Sequence, residues 1–270
     1  MVAINQWEQA EDSMYTLCGK DRIHPSTDGH LVMAYLFLKA QGLAGKPVAD
    51  IRIDGAGKKV TRSDNCRVSD LSVSSDNLTF TYEAKSLPYP IDTSYYDNEK
   101  HTQADALSVI PFMDEMNYEG LSVSGLSDGY YGLTIGGEFI GRFTARELER
   151  GINMALLQNT PQYKQAMKIR QMNEERWLKE RKMREFYWVE YNLMRKTGML
   201  WACNEAAVDT LRKYRPHDIF LQWNGALWLQ YMHKGIREDC VNEQQDLVNQ
   251  IYEQNKPIPL QIESKKFTDL

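Results

Sequence analysis

The feature that most constrains this chain is an unbroken run of apolar side chains, Leu31-Val32-Met33-Ala34-Tyr35-Leu36-Phe37-Leu38. Ahead of it, Ser26 or Thr27 can cap the first backbone N–H groups of a helix, Asp28 suits the positive end of its dipole, and Gly42 supplies a stop. The spacing predicts a helix over 27–41. Successive apolar residues point around most of its circumference rather than along one stripe, so burial on several sides is expected. A helix of this kind normally lies against a sheet, yet no strand pattern precedes it. The expectation is therefore a missing amino-terminal half, or an apolar surface covered by a homodimer contact or by folding onto the β-rich unit that follows.

Beyond the helix the pattern changes. From Pro47 to Phe143, short alternating runs such as Val48-Ala49-Asp50-Ile51-Arg52-Ile53, Cys66-Arg67-Val68 and Leu78-Thr79-Phe80-Thr81-Tyr82 are punctuated by Gly, Asp, Asn and Ser, as in a β-rich unit. Tyr131 to Phe143 reads as a hairpin, because Gly136-Gly137 supplies the positive φ that a tight two-residue turn requires. Ser86 to Tyr96 reads as a long loop, with a short helix over Ala104 to Met116. Beyond Thr144, helical spacing runs to about Gln254. Thr144 and Glu147 fit a capping box, Pro161 opens a long helix to about Lys196, and further helices are expected over 201–215, 219–233 and 236–254, broken at Pro216 and Gly235.

Composition narrows the function classes. With 42% hydrophobic and 26% charged residues in a chain of 270, a sizeable core can form and disorder is not expected. The net charge of -5 gives no footprint for nucleic acid. No apolar run approaches the roughly 18 residues of a membrane span. The opening residues MVAINQWEQAEDS lack the basic and apolar regions of a signal peptide. Cys18, Cys66, Cys203 and Cys240 contain no CxxC pair, so free, mostly buried thiols are the first reading and two distant disulfides of undetermined pairing the alternative for an exported protein; neither a metal nor a cofactor is implied.

The strongest chemical signal is Asp21-Arg22-Ile23-His24-Pro25, followed at once by the helix carrying Gly29-His30. An imidazole that takes a proton from a hydroxyl needs its second nitrogen held by an acceptor, and a carboxylate three residues earlier in a tight turn can reach it. The run DRIHPSTDGHLVMAYLFLKAQGL resembles the last conserved block of SGNH (GDSL-type) serine hydrolases. The stretch through Gly151-Ile152-Asn153-Met154-Ala155 resembles the region appended to some bacterial members.

That resemblance implies His24 as general base and Asp21 as the group that orients it. It also implies a secreted or periplasmic bacterial esterase acting through a serine acyl-enzyme on an ester such as an acylated carbohydrate. No Gly-Asp-Ser turn and no oxyanion-hole segment stands upstream of Asp21, so the chain alone is expected to be inactive or nearly so. The expected architecture is α+β: 1–46 as the tail and terminal helix of an SGNH-type α/β domain, 47–143 as a sandwich-like β unit, and 144–270 as a helical region.

Other patterns read as structural. Gly125-Leu126-Ser127-Asp128-Gly129 satisfies G-x-S-x-G but lies between two strand patterns, where a nucleophile elbow needs a strand and then a helix. His217, Asp218 and His233 lack the spacing of a metal site. Trp223, Trp228 and Tyr231 could stack on a sugar but read first as core or interface residues. The tyrosine-rich loop Tyr89 to Tyr96 is the better candidate for ligand contact. The competing function is a non-catalytic binding module over 47–254. A third is a two-chain assembly whose partner brings the serine.

Overall fold

A computed structural model describes residues 1–19, 21–94 and 101–267. The fold is α+β. The helices are α1 (Val2–Glu8), α2 (Thr27–Ala40), α3 (Phe112–Glu115), α4 (Ala145–Arg150), α5 (Pro161–Val189), α6 (Glu205–Tyr214), α7 (Ile219–Tyr231) and α8 (Lys234–Gln254). The strands are β1 (Ala49–Asp54), β2 (Lys59–Asp64), β3 (Cys66–Val73), β4 (Asn77–Ala84), β5 (Glu119–Ser124), β6 (Tyr130–Ile135), β7 (Glu138–Thr144), β8 (Ile152–Asn153) and β9 (Leu260–Lys266). Packing divides the chain into two compact units, one of Met1–Met167 with Asn255–Leu270 and the other Lys168–Gln254.

In the first unit, the strands form sheets ordered β2-β1-β5-β8 and β3-β4-β9-β6-β7. Strand alternation decides which residues go inside. Ile51 and Ile53 of β1, Leu121 and Val123 of β5, Leu78, Phe80 and Tyr82 of β4, Leu133 and Ile135 of β6, and Ile262 of β9 meet in one core, each at most 1% exposed. Burying each large apolar side chain contributes about 1.5–3 kcal/mol, so this core dominates the unit's stability. The paired glycines act as their chemistry requires: Gly136 and Gly137 sit at φ 58° and 83° and join β6 to β7. The capping box of Thr144 and Glu147 is formed at the start of α4.

Two pairings are long-range. β1 and β5 run parallel, in register from Ala49 with Glu119 to Asp54 with Ser124. β9 enters between β4 and β6, antiparallel to both. It lies within 144–270, for which a helical region is expected from the sequence. Its alternation Leu260, Ile262, Ser264 inward is that of a strand buried on one face.

The structure also changes the reading of α2. Leu31, Val32 and Tyr35 are buried, but Met33 and Phe37 are 44% and 64% exposed, so the helix is covered on one face and not on several. No sheet lies beneath it among the described residues. Its covered side packs in a small core with Leu17, Ile91, Ala106, Ile110 and Phe112. Ser26 occupies the N-cap position without capping a backbone N–H. Its hydroxyl donates to the Leu17 carbonyl and to Asp28 instead. The helix expected over Ala104 to Met116 is two short pieces, a 3-10 turn at Gln103–Ser108 and α3, because Pro111 cannot continue the hydrogen-bond ladder.

The second unit is helical. Phe186 and Val189 of α5, Leu211 of α6, Leu221 and Trp228 of α7 and Cys240 of α8 share its core. α5 passes at Glu190 into a five-residue π-helical turn. Asp218 caps α7 by accepting from the Phe220 and Leu221 N–H groups. Among the described residues no helix is long and apolar enough to cross a membrane.

Candidate functional site

The Asp21 and His24 segment is a tight loop tied at its neck. Cys18 pairs with Pro25 as an isolated β-bridge, Gly19 N–H donates to the His24 carbonyl at 2.7 Å, and Ser26 N–H donates to the Leu17 carbonyl at 3.2 Å. Gly29 lets α2 back directly onto that neck, since a Cβ there would collide with the Leu17 carbonyl oxygen. Within the loop, Arg22 takes a left-handed backbone at φ 57°. This folds the chain so that Asp21 Oδ1 accepts from both the Ile23 and His24 N–H groups, at 3.0 and 3.1 Å.

The other carboxylate oxygen, Asp21 Oδ2, lies 2.5 Å from His24 Nδ1. The hydrogen bond from His24, followed by those from the Ile23 and His24 amides, lowers the Asp21 carboxyl from 3.8 to about 2. A carboxylate at Nδ1 places the proton there in the neutral ring and leaves the Nε2 lone pair outward. The His24 side chain is 83% exposed, so that lone pair is open to a partner. No serine, threonine or cysteine side chain hydrogen-bonds His24 among the described residues. The arrangement can orient an imidazole and stabilise an imidazolium; by itself it has no nucleophile.

A second carboxylate near the start of α2 carries no chemical signal in the sequence. Asp28 is 2% exposed and accepts from the Ser26 hydroxyl and the Gly29 N–H, and His101 Nδ1 lies 3.7 Å from its other oxygen. By sequence it is only a helix-dipole acid, because His101 lies more than seventy residues away. Glu119 is equally silent. It is wholly buried at the start of β5, and burial raises its carboxyl from 4.5 to about 7 against the hydrogen bonds from Tyr82 and Gln162. Tyr82 Oη donates to Oε1 at 2.8 Å and Gln162 Nε2 at 3.2 Å.

The remaining candidates separate. Ser127 lies in a turn between β5 and β6, with a strand and not a helix after it, and its hydroxyl accepts from Lys266 Nζ at 2.7 Å. Trp228 and Tyr231 are core, at 0% and 6% exposed, whereas Trp223 is 65% exposed, so the three do not form one platform. Trp228 Nε1 donates to the buried Glu190 at 2.7 Å. His233 Nδ1 lies 3.4 Å from Cys203 Sγ. Tyr89 is held by Asn117, by Gln103 and by an edge-on contact with Phe112. Tyr95 and Tyr96 of the same loop lie outside the described residues, as does Lys20 of the turn before Asp21.

Comparison with known proteins gives two matches. The family model for the diltiazem deacetylase C-terminal helical domain matches residues 167–256, nearly the bounds of the helical unit, Lys168–Gln254. The solved structure of a gut microbial diltiazem-metabolizing enzyme superposes with a TM-score of 0.93 at 41% sequence identity, over 99% of this chain and 60% of that one. The chain thus spans three fifths of the length of that solved relative. No curated protein matches. These findings overturn the SGNH or GDSL-type resemblance, since neither match is to such a family. Asp-x-x-His ahead of a helix is a short pattern, and the observed turn, with Asp21 gripping two amides, accounts for that spacing in local terms.

Proposed function

We propose that this chain is part of an ester hydrolase in which Asp21 and His24 form the proton-handling half of an acyl-transfer site. The observation that carries the reading is the 2.5 Å contact between Asp21 Oδ2 and His24 Nδ1, with the ring otherwise exposed. His24 accepts a proton through Nε2 from an attacking hydroxyl and returns it to the leaving alcohol. Asp21 fixes the tautomer and stabilises the imidazolium. The likeness to a diltiazem-metabolizing enzyme and to a deacetylase domain supports an ester substrate, with acetyl as the acyl group to test first and an acylated carbohydrate as one source of it.

On this reading further protein supplies the nucleophile and the oxyanion donors, since among the described residues no serine, threonine or cysteine side chain hydrogen-bonds His24. The apolar side chains of Ile23, Met33 and Phe37, all exposed on the loop and on α2, suit a surface that further protein covers. On this reading the 270 residues alone turn over esters slowly. The test is hydrolysis of p-nitrophenyl acetate by the natural protein that contains this chain. His24→Ala and Asp21→Asn are each expected to reduce kcat on the order of a thousand-fold or more. Full activity in His24→Ala would end the proposal.

A further inference from the structure

A groove of about 380 Å³ on the helical unit is lined by Trp177, Arg181, Arg184, Glu185 and Trp188 of α5 and by Asn224 of α7. We propose that it binds a short acidic oligosaccharide, one whose rings bear carboxylates; this does not rest on the hydrolase reading. Three properties of the groove point to that ligand.

The first is its length. Trp177, Arg181, Arg184 and Trp188 recur at helical spacing on one face of α5, and the two indoles stand eleven residues apart, roughly 16 Å along the axis. That span is longer than any single ring, so a ligand that meets both indoles is a chain of rings. At the Trp188 end the aromatic surface continues, with Phe220 at 5.2 Å from Trp188 and Trp223 at 5.4 Å from Phe220, between ring centroids. Phe220 and Trp223 are 48% and 65% exposed, although α7 has its own buried face in Leu221 and Trp228 to hold it in the unit.

The second property is charge held ready. Arg181 Nε is bound to Glu185 at 2.7 Å and Arg184 Nε to Glu180 at 3.2 Å, each within α5. Both contacts use the inner nitrogen of the guanidinium. The terminal NH₂ pair of each arginine has no hydrogen-bond partner among the described residues, which leaves two planar donor forks of the geometry that a carboxylate accepts in two-point fashion. Arg184 also lies 5.9 Å from the Trp177 ring centre, which places a cation beside a stacking face. The two arginines against Glu185 leave the lining with a net positive charge.

The third property is what the groove lacks. It is built from helices whose backbone groups are already bonded along α5 and α7, so an extended peptide finds no strand edge to extend. An amphipathic helix would bury the two arginines and Glu185 under apolar side chains at a desolvation cost. Sugar rings present apolar C–H faces to indoles and hydroxyls to Asn224 and Glu185, while carboxylates on them meet the arginines.

The experiment titrates the intact chain with a trigalacturonate, a neutral trisaccharide of the same length and monomeric galacturonate, followed by tryptophan fluorescence and calorimetry. Saturable binding of the acidic trimer is expected, weakening as salt rises. It is expected to be at least about five-fold tighter than that of the neutral trimer or the monomer, about 1 kcal/mol. Trp177→Ala and Arg184→Gln, both at exposed positions, are each expected to weaken it by about five-fold or more, with Arg184→Lys recovering only part because the fork is lost. Absence of saturable binding up to about millimolar concentration overturns the proposal. So does equal affinity for the neutral trimer, or binding indifferent to both substitutions while the helical far-UV signal is unchanged.

Discussion

Replacing Glu119 by Gln should stabilise the sandwich unit at pH 8 by clearly more than it does at pH 5. Glu119 is wholly buried, and burial lifts its carboxyl from 4.5 to about 7. A raised carboxyl contributes stability that is fully present below its unfolded value and is lost as pH rises through the folded one. The gap of about 2.5 pH units, at about 1.4 kcal/mol for each, amounts to roughly 3 kcal/mol lost between about pH 4.5 and pH 7. The local geometry agrees with the neutral form. Oε1 accepts from Tyr82 and Gln162, while Glu119 Oε2 and Gln162 Oε1 are both buried acceptors with no donor. A proton on Oε2 offers a donor where two acceptors lack one, and the side-chain amide introduced by Glu119→Gln would do the same at every pH. Five of the six tryptophans lie between positions 177 and 228, so fluorescence reports chiefly on the helical unit. Guanidinium unfolding followed by hydrogen exchange of β4, β5 and β9 amides is the better assay. The quantity to measure is the difference between variant and parent at pH 5 and at pH 8, in which all other titrations cancel. A difference equal at the two pH values would refute the buried-acid argument.

Three other substitutions test separate parts of the structure. Gly29→Ala drives a methyl group into the Leu17 carbonyl, and overpacking of that kind costs about 1–3 kcal/mol; a thermal melt unchanged from the parent would show that the neck of the Asp21 loop yields freely. Because His24 is the main cause of the low Asp21 carboxyl, His24→Ala should raise it from about 2 toward 3.8, as read by carboxyl NMR titration. The Asp21 contribution to stability is present above 3.8 and lost as pH falls through about 2. Trp228→Phe removes the donor to Glu190 and leaves a buried carboxylate oxygen short of a partner, with an expected loss of about 1–3 kcal/mol in denaturation of the helical unit.

Signals confined to a few neighbouring residues are readable from the sequence. The start and stop of α2, the Gly136-Gly137 turn, the Thr144 capping box and the opening of α5 at Pro161 each depend on groups within about one helical turn of one another. Partners distant in the chain are not readable. The parallel pairing of β1 with β5 and the position of β9 between β4 and β6 join segments separated by 65 to nearly 190 residues. Leu260, Ile262 and Ser264 do alternate, but seven residues after four helices carry little weight without knowledge of the strands they join. The candidate site divides in the same way. Asp21 and His24 are three apart and stand out together, whereas Asp28 with His101, Glu119 with Gln162, and Trp177 with Asn224 become pairs only through the fold. The apolar run of α2 misleads, because Met33 and Phe37 face outward in the structure.

The place of β9 governs the order in which the molecule can be completed. Without that strand, its sheet is two separate hairpins, β3 with β4 and β6 with β7, and isolated two-stranded ribbons are marginal in water. At translation rates of roughly 5–20 residues per second, the ribosome takes roughly 6–25 s to travel from the end of β7 to the end of β9. Throughout that interval the inner edges of β4 and β6 carry unpaired backbone groups able to recruit another nascent chain. The helical unit, emerging in the meantime with mostly local contacts, is complete about a dozen residues before β9 ends and can fold before the sandwich that precedes it in the gene is closed.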